Sequence, residues 1–254
     1  VNAERAEAAF WAAFLRNRNV DSSSAADGAV AVAGGYALCA LGTYLEYAIG
    51  AGSTRPLRGD DLEIVRDFYG RRGLPPRLEL DEEVLARDAE VLRAANFEEE
   101  DEELSVLEAE AAAVVANGPF AIRAVTDRRG WADLVVRAFA DTIDAGERPR
   151  LLKAAQASAA SAHALFIASL DGTDVGAGAV AIAGEHALLY SAAVLPAFRR
   201  RGAHRALVTA RLAFAHGRGA LRAAVKVLHD SAAERSAQAL GFTQIARRRR
   251  VRGA

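Results

Sequence analysis

LPAFRRRGAHRAL, residues Leu195–Leu207, is the stretch on which the reading of this chain turns. A turn-forming proline, Pro196, comes first, then three cations, Arg199 to Arg201, and then Gly202. The Ala/Leu-rich run after it, AHRALVTARLAFA, predicts a helix. The first turn of a helix leaves backbone N–H groups without partners, and the helix dipole makes that end positive. Gly202 lets a ligand approach the backbone with no side chain in the way. Arg199, Arg200, Arg201 and Arg205 can add charge-assisted hydrogen bonds. The layout fits an anion cradle, better suited to a diphosphate than to a lone phosphate. Taken alone, R-R-R-G is equally a basic solvated turn. A nucleotide P-loop is excluded because G-x-x-x-x-G-K-[ST] is missing, and the G-x-G-x-x-G spacing of a dinucleotide site is missing too.

The sequence around the loop predicts alternating strands and helices. Upstream, AIRAV predicts a strand, GWADLVVRAFADTI and LLKAAQASAASA predict helices, and HALFIASL to AAVLP holds three strands with turns at Asp171-Gly172 and Gly184-Glu185. Downstream come a strand, LRAAVKVL, a helix, SAAERSAQALGF, and a last strand, TQIARRRRV. The N-terminal run NAERAEAAFWAAFLRNR predicts a helix burying Phe10, Trp11, Phe14 and Leu15. Gly28 to Leu45 has no charged residue, yet Gly34-Gly35 divides it, so two short strands are expected rather than a membrane span. DDLEIVRDFYGRRG and DEEVLARDAEVLRAANF predict helices on either side of a strand, PRLEL. The run Glu98 to Glu103 is expected to be a solvated loop or edge. AAAVVANGPF is the linker candidate, dividing residues 1–118 from 119–254.

The two parts echo each other. DFYGRRG, PRLEL and a helix ending LRAANF match AFAHGRG, LRAAVKV and a helix ending AQALGF, with Phe68 to Phe97 at 29 positions and Phe214 to Phe242 at 28. Two related units are one explanation, and chance echoes of any αβα chain are the other. Their charges differ. Through Gly118 there are 11 basic and 23 acidic residues, and after it 21 and 10. The basic part is where an anionic ligand is drawn. In the first unit, GAGSTRPLRGDDL stands where the second has RRRGAHRAL, and its acids repel a phosphate.

SAAVLPAFRRRGAHRALVTARL resembles the GNAT N-acetyltransferase superfamily: a strand, V-x-P, an aromatic residue, R/Q-x-x-G-x-G/A, then a helix. Val194, Pro196, Phe198, Arg199, Gly202 and Leu207 sit on that pattern, and ALGF at Ala239–Phe242 resembles the closing helix. The resemblance covers Phe120 to Ala254. It implies an α+β, mixed α/β fold of two GNAT-like units, each a mostly antiparallel mixed sheet flanked by helices: a degenerate unit at 1–118 and an acetyl-CoA-binding unit at 119–254. It implies a pyrophosphate loop at Arg200, Arg201, Gly202, Ala203, His204 and Arg205. It also implies a strand that bulges and splays at Ala192, Ala193 and Val194, one N–H of which polarises the thioester carbonyl. The reaction implied is direct acetyl transfer from acetyl-CoA to an amine, with no covalent enzyme intermediate and no metal.

The sequence departs from the pattern in three places. His204 stands at a position that is small in the family, and Ala237 at one often held by tyrosine. The strand Ala187–Ala193 has no carboxylate. Tyr190 and His229 are the titratable groups left as catalytic candidates, and each also has a purely structural reading. A non-catalytic acyl-CoA sensor is therefore the competing class. The acceptor stays open between a small-molecule and a peptide amine. The basic tail Arg247 to Arg250 with Arg252 suits nucleic acid, or, as alternating arginines on a terminal strand, the acidic first part or CoA. No aromatic stacking residues accompany it, so nucleic acid is not expected. His163, His186 and His216 lack ligand-like spacing. The single cysteine, Cys39, excludes an intramolecular disulfide framework, and with no signal pattern visible a cytoplasmic setting without membrane contact is expected.

Overall fold

The computed structural model describes residues 3–21, 27–112 and 118–254. Helix α1, Ala3–Asp21, is followed by the short strands β1, Gly28–Val32, β2, Gly35–Cys39, and β3, Ala48–Ile49. Ala33 and Gly34 both take positive φ, 45° and 95°, so the turn falls one residue before the expected Gly34-Gly35 pair, and Gly35 opens β2. Helix α2, Gly59–Gly70, leads to β4, Arg77–Asp81, to two short helices, α3, Glu82–Arg87, and α4, Ala89–Ala94, and to β5, Phe97–Glu110. One helix was expected where α3 and α4 stand. Asp88 separates them because its carboxylate accepts the Leu57 N–H at 3.0 Å and pairs with Arg87.

The second part contributes β6, Ala121–Val125, α5, Arg128–Ala138, α6, Arg148–Ser161, β7, Ala164–Leu170, β8, Thr173–Ala183, and β9, His186–Val194. After the arginine loop come α7, Ala203–Gly217, β10, Arg222–Leu228, α8, Ala232–Gln238, and β11, Thr243–Gly253. The core of the linker candidate, residues 113–117, lies outside the described residues, as does most of the expected loop after α1.

The architecture is mixed α/β, with one mostly antiparallel sheet flanked by helices. Its order is β1-β2-β3-β4-β11-β5-β10-β9-β8-β7-β6. The pairs β3–β4 and β9–β10 are parallel, each joined through a helix, α2 or α7, and the other pairs are antiparallel. The echoed sequences thus occupy matching places: α2 and α7, then β4 and β10, then α4 and α8.

The strands β5 and β11 are exchanged between the parts. β5 lies between β10 and β11, and β11 lies between β4 and β5. Leu107 of β5 packs in a core with Leu207, Leu212 and Phe242, and Val251 of β11 packs with Leu62, Leu78 and Leu80. The acidic run is therefore not a solvated loop or edge. Opposite charge across the strands makes it tolerable in the sheet interior. Arg247 and Arg249 reach Glu103 at 3.1 and 3.0 Å, Arg249 also reaches Glu99, and Arg250 pairs with Glu102. The arginine tail faces the acidic first part, as one of its two readings expected.

Helix α1 lies over this junction. Leu15 is fully buried, as expected, whereas Phe10, Trp11 and Phe14 are only partly covered. Its acids meet Arg248, whose side chain is 1% exposed and lies 2.7 Å from Glu7, 3.0 Å from Asp81 and 3.2 Å from Glu79. Lys226 of β10 joins the cluster at 2.9 Å from Glu7 and 2.6 Å from Glu79.

Candidate functional site

The parallel pair β9–β10 stays in register only from His186↔Arg222 to Leu188↔Ala224. Beyond that point the strands separate, although β9 continues to Val194 and β10 to Leu228. On its other edge β9 is bulged. The register with β8 passes from Tyr190↔Ala179 to Ala193↔Ala177, so Ser191 and Ala192 face Gly178 alone. Ser191 takes a left-handed φ of 49°. Its hydroxyl donates to Ser158 Oγ at 2.9 Å, which ties the bulge to α6. The distortion expected at Ala192–Val194 is thus centred at Ser191–Ala192, while Ala193 and Val194 stay paired with β8.

Arg211 of α7 supports the bulge from the other face. Its guanidinium is buried and donates to the carbonyls of Leu207, Ala179 and Tyr190 at 3.1, 3.2 and 3.5 Å. Burial pulls its pKa down to about 10. Gly178 lies against this group, since a Cβ there would stand 3.1 Å from the guanidinium. The sequence offered no signal for this role, because the partners Ala179 and Tyr190 lie far from Arg211 in the chain.

The loop after β9 divides its arginines by job. Arg199 is an internal tether: it donates to the Val194 carbonyl at 3.1 Å, to the Ala138 carbonyl at 2.7 Å, and twice to Asp141 at 2.7 and 2.8 Å. Arg200, Arg201 and Arg205 are exposed. Arg200 and Gly202 both take positive φ, 59° and 97°, and Gly202 is the N-cap of α7, where no side chain caps the helix. The nearest atom to a Cβ at Gly202 would be in Phe120 at 3.9 Å, so the position is open. His204 turns inward and its ring Nδ1 lies 3.1 Å from Ser236 Oγ. Burial, with the charge of Arg211 added, holds its pKa down at about 4, so its ring is neutral at pH 7. Ala203 is buried under the first turn.

At the matching place in the first part the anion is supplied from within. The Asp61 carboxylate, in the first turn of α2, accepts the Arg58 N–H at 2.9 Å and two bonds from Arg55 at 2.7 Å. That helix start is closed, and the start of α7 is open.

Where β9 and β10 part, a cavity of about 510 Å³ opens. Consecutive residues of a strand point to opposite faces of the sheet. Yet Leu188 to Ser191 and Ala224 to Lys226 all line this cavity, so it reaches in between the facing edges of the two strands. Helices α5 and α6 supply one wall, and α1 with the segment 40–47 supplies the cover. Tyr190 lines it, with its hydroxyl 3.0 Å from Ser161 Oγ and its ring edge-on to Trp11 at 5.4 Å. Burial pushes the Tyr190 phenol well up, against the opposing hydrogen bond to Ser161, so it keeps its proton at neutral pH. His229 is placed elsewhere, at the end of β10, with Nδ1 3.0 Å from Ser105 Oγ and 3.4 Å from Glu234. Tyr190 and His229 are not brought together around the cavity. His229, Asp230 and Glu234 hold ligand-type atoms within 4.8 Å of one another. Glu234 also accepts the Asp230 N–H, and Ser231 caps α8, so the group closes a helix start.

The sequence profile of the family described as "Probable histone acetyltransferase Rv0428c C-terminal" matches residues 47–251. No curated protein sequence matches the chain. Among solved structures, a GCN5-related N-acetyltransferase from Kribbella flavida superposes with a TM-score of 0.68 at 17% identity, covering 100% of this chain and 96% of its own. One from Sphaerobacter thermophilus gives 0.59 at 14% identity, over 81% of this chain and 71% of its own. A tandem GNAT protein from the clavulanic acid biosynthesis pathway gives 0.54 at 14% identity, over 74% and 66%. Among the described residues no helix is long and apolar enough to cross a membrane. The profile spans the separated strands, the open helix start and the exchanged strands, so this chain belongs to the Rv0428c C-terminal family, and its fold is that of the GCN5-related N-acetyltransferase structures.

Proposed function

We propose that the chain transfers an acetyl group from acetyl-CoA directly to a primary amine. The observation that carries this is an uncapped α7 start at Gly202 in the connection that leaves β9, the strand whose separation from β10 opens the cavity. Gly202, the N–H groups of Ala203, His204 and Arg205, and the exposed side chains of Arg200, Arg201 and Arg205 would hold the diphosphate. Arg199 positions that loop from behind. Backbone groups of β9 at Ala192 to Val194 on the edge turned away from β8, apart from the Val194 carbonyl that Arg199 engages, would face the acyl arm, and a bulge N–H aimed at the carbonyl oxygen would stabilise the charge that develops there. Residues 119–254 form the binding unit in this reading, and residues 1–118 form the degenerate one that covers the acceptor side.

A non-catalytic acyl-CoA sensor is the second reading, and one observation favours it. Glu7, the carboxylate lining the cavity, is raised by burial but more than offset by Lys226 and Arg248, which hold it at about 2, so it makes a poor base. Calorimetric titration with acetyl-CoA and with CoA tests the shared part. Micromolar binding that is lost in Gly202→Glu, with the fold intact, supports the loop assignment, and unchanged affinity sinks it. Product formation above the uncatalysed rate with a panel of amines separates enzyme from sensor.

A further inference from the structure

We infer that the acceptor entering the cavity between β9 and β10 is a small amine carried on an apolar, ring-bearing body, and not the lysine of a basic peptide tail. This rests on the acetyltransferase reading above and specifies its acceptor.

Size and lining come first. A cavity of about 510 Å³ is in the range that encloses small molecules, about 300–1,000 Å³. Six aromatic side chains line it: Trp11, Phe14, Tyr44, Tyr47, Phe139 and Tyr190. Trp11 already meets Tyr190 and Phe14 edge-on at 5.4 and 6.1 Å, which forms a wall on which another ring can pack.

Charge points the same way. Among the described lining residues, Glu7 and Lys226 are the charged ones. They pair with each other at 2.9 Å, Glu7 also accepts from Arg248, and Lys226 also donates to Glu79. An incoming ammonium therefore meets no uncommitted carboxylate. Helix α6 sets a cation against the cover segment: Arg150 lies 4.7 Å from the Tyr44 ring centroid and bonds Glu46 and the Thr43 carbonyl. Glu46 also accepts the Gly42 N–H, so it too is engaged. A polycationic tail finds little attraction here. Neutral hydroxyls pair at the bulge, Ser191 with Ser158 and Tyr190 with Ser161, and the Tyr190 hydroxyl also reaches the Ser158 carbonyl, a setting suited to an uncharged amine.

The probes are 2-phenylethylamine and a lysine-rich peptide, tested on the full chain in two assays. Trp11 lines the cavity and the other tryptophan, Trp131, is fully buried, so intrinsic fluorescence reports binding without acetyl-CoA. Thiol release with acetyl-CoA reports turnover. Saturable binding of 2-phenylethylamine, and a kcat/KM at least 100-fold above that of the peptide, are expected. Ala157→Leu, which narrows the cavity from α6, should raise the KM for 2-phenylethylamine tenfold or more and leave CoA affinity unchanged. Tyr44→Ala, on an exposed ring, should raise it severalfold should the first variant misfold. Preference for the peptide, or a KM that neither variant moves, overturns the inference while CoA binding still supports the enzyme. Displacement of 2-phenylethylamine by octanoyl-CoA but not by acetyl-CoA also overturns it, because the cavity then houses an acyl chain. Fluorescence binding without any turnover keeps the cavity assignment and removes the acetyltransferase reading.

Discussion

Two buried groups with opposite pKa shifts should leave the stability of this protein nearly flat with pH, until one of them is replaced. Glu4 lies in the cluster under α1. Three carboxylates, Glu7, Glu79 and Asp81, already face the three cations Lys226, Arg248 and Arg250, and Glu4 is a fourth. Burial raises its pKa from the ordinary 4.5 to about 7, against the pull of Arg248 and with help from Asp81 and Glu7. Between pH 4.5 and 7 the folded protein therefore holds a proton that the unfolded chain releases. Raising the pH through that window removes stability. At about 1.36 kcal/mol per pH unit, the ceiling is about 3 kcal/mol. His204 acts in the other sense. Its pKa falls from 6.5 to about 4, so between those values the unfolded chain binds a proton that the folded one refuses. Lowering the pH through that window removes stability, again by about 3 kcal/mol at most.

From about pH 4.5 to 6.5 the two slopes oppose each other, and the wild-type curve should move by less than about 1 kcal/mol. Glu4→Gln should leave a curve that climbs by up to about 3 kcal/mol as pH rises over that span. His204→Gln should leave one that falls by a similar amount and levels off above pH 7. Urea denaturation at half-unit steps, with the slope m held in common, measures all three. A Glu4→Gln curve parallel to the wild type would refute the reasoning, because Glu4 would then be ionised across the window.

Two further outcomes follow from the same contacts. Arg248→Met leaves three buried carboxylates short of a cation and should cost about 3–5 kcal/mol at pH 7 by denaturant unfolding, with a smaller loss at pH 4 as they protonate. A loss under 1 kcal/mol would mean that the cluster relaxes into water. Arg199→Met cuts the bonds from the loop to Val194, Ala138 and Asp141, so CoA affinity should fall about tenfold by calorimetry although Arg199 faces no ligand. Unchanged affinity would show that the loop holds its shape without the tether.

Most elements were legible in the sequence because their signals are local. The turn between β1 and β2, the continuous apolar run of β8 and the glycine before α7 each need only neighbours a few residues away. The resemblance to the GNAT superfamily rested on one such local string, and it also pointed to the bulged, separated strand. It placed that bulge a residue or so late, because Ser191 is held by Ser158 of α6, 33 positions away in the chain. The cavity was less legible. Its wall and cover come from α1, α5, α6 and the segment 40–47, which no short motif joins.

By itself the sequence determined the order of most helices and strands and the helix start at Gly202, and a motif resemblance pointed to the GNAT superfamily. Local hydrophobic period and backbone preference decide the elements. Tertiary structure alone decided that Glu98–Glu103 runs through the sheet interior, that Arg199 is a tether while Arg200, Arg201 and Arg205 stay exposed, and that Arg211 supports the bulge. In each case the deciding partner is remote in sequence: β11 for the acidic run, Asp141 for Arg199, Ala179 for Arg211. Ion pairs and hydrogen bonds to those partners place these charged side chains, and a partner remote in the chain leaves no mark on the residues beside them.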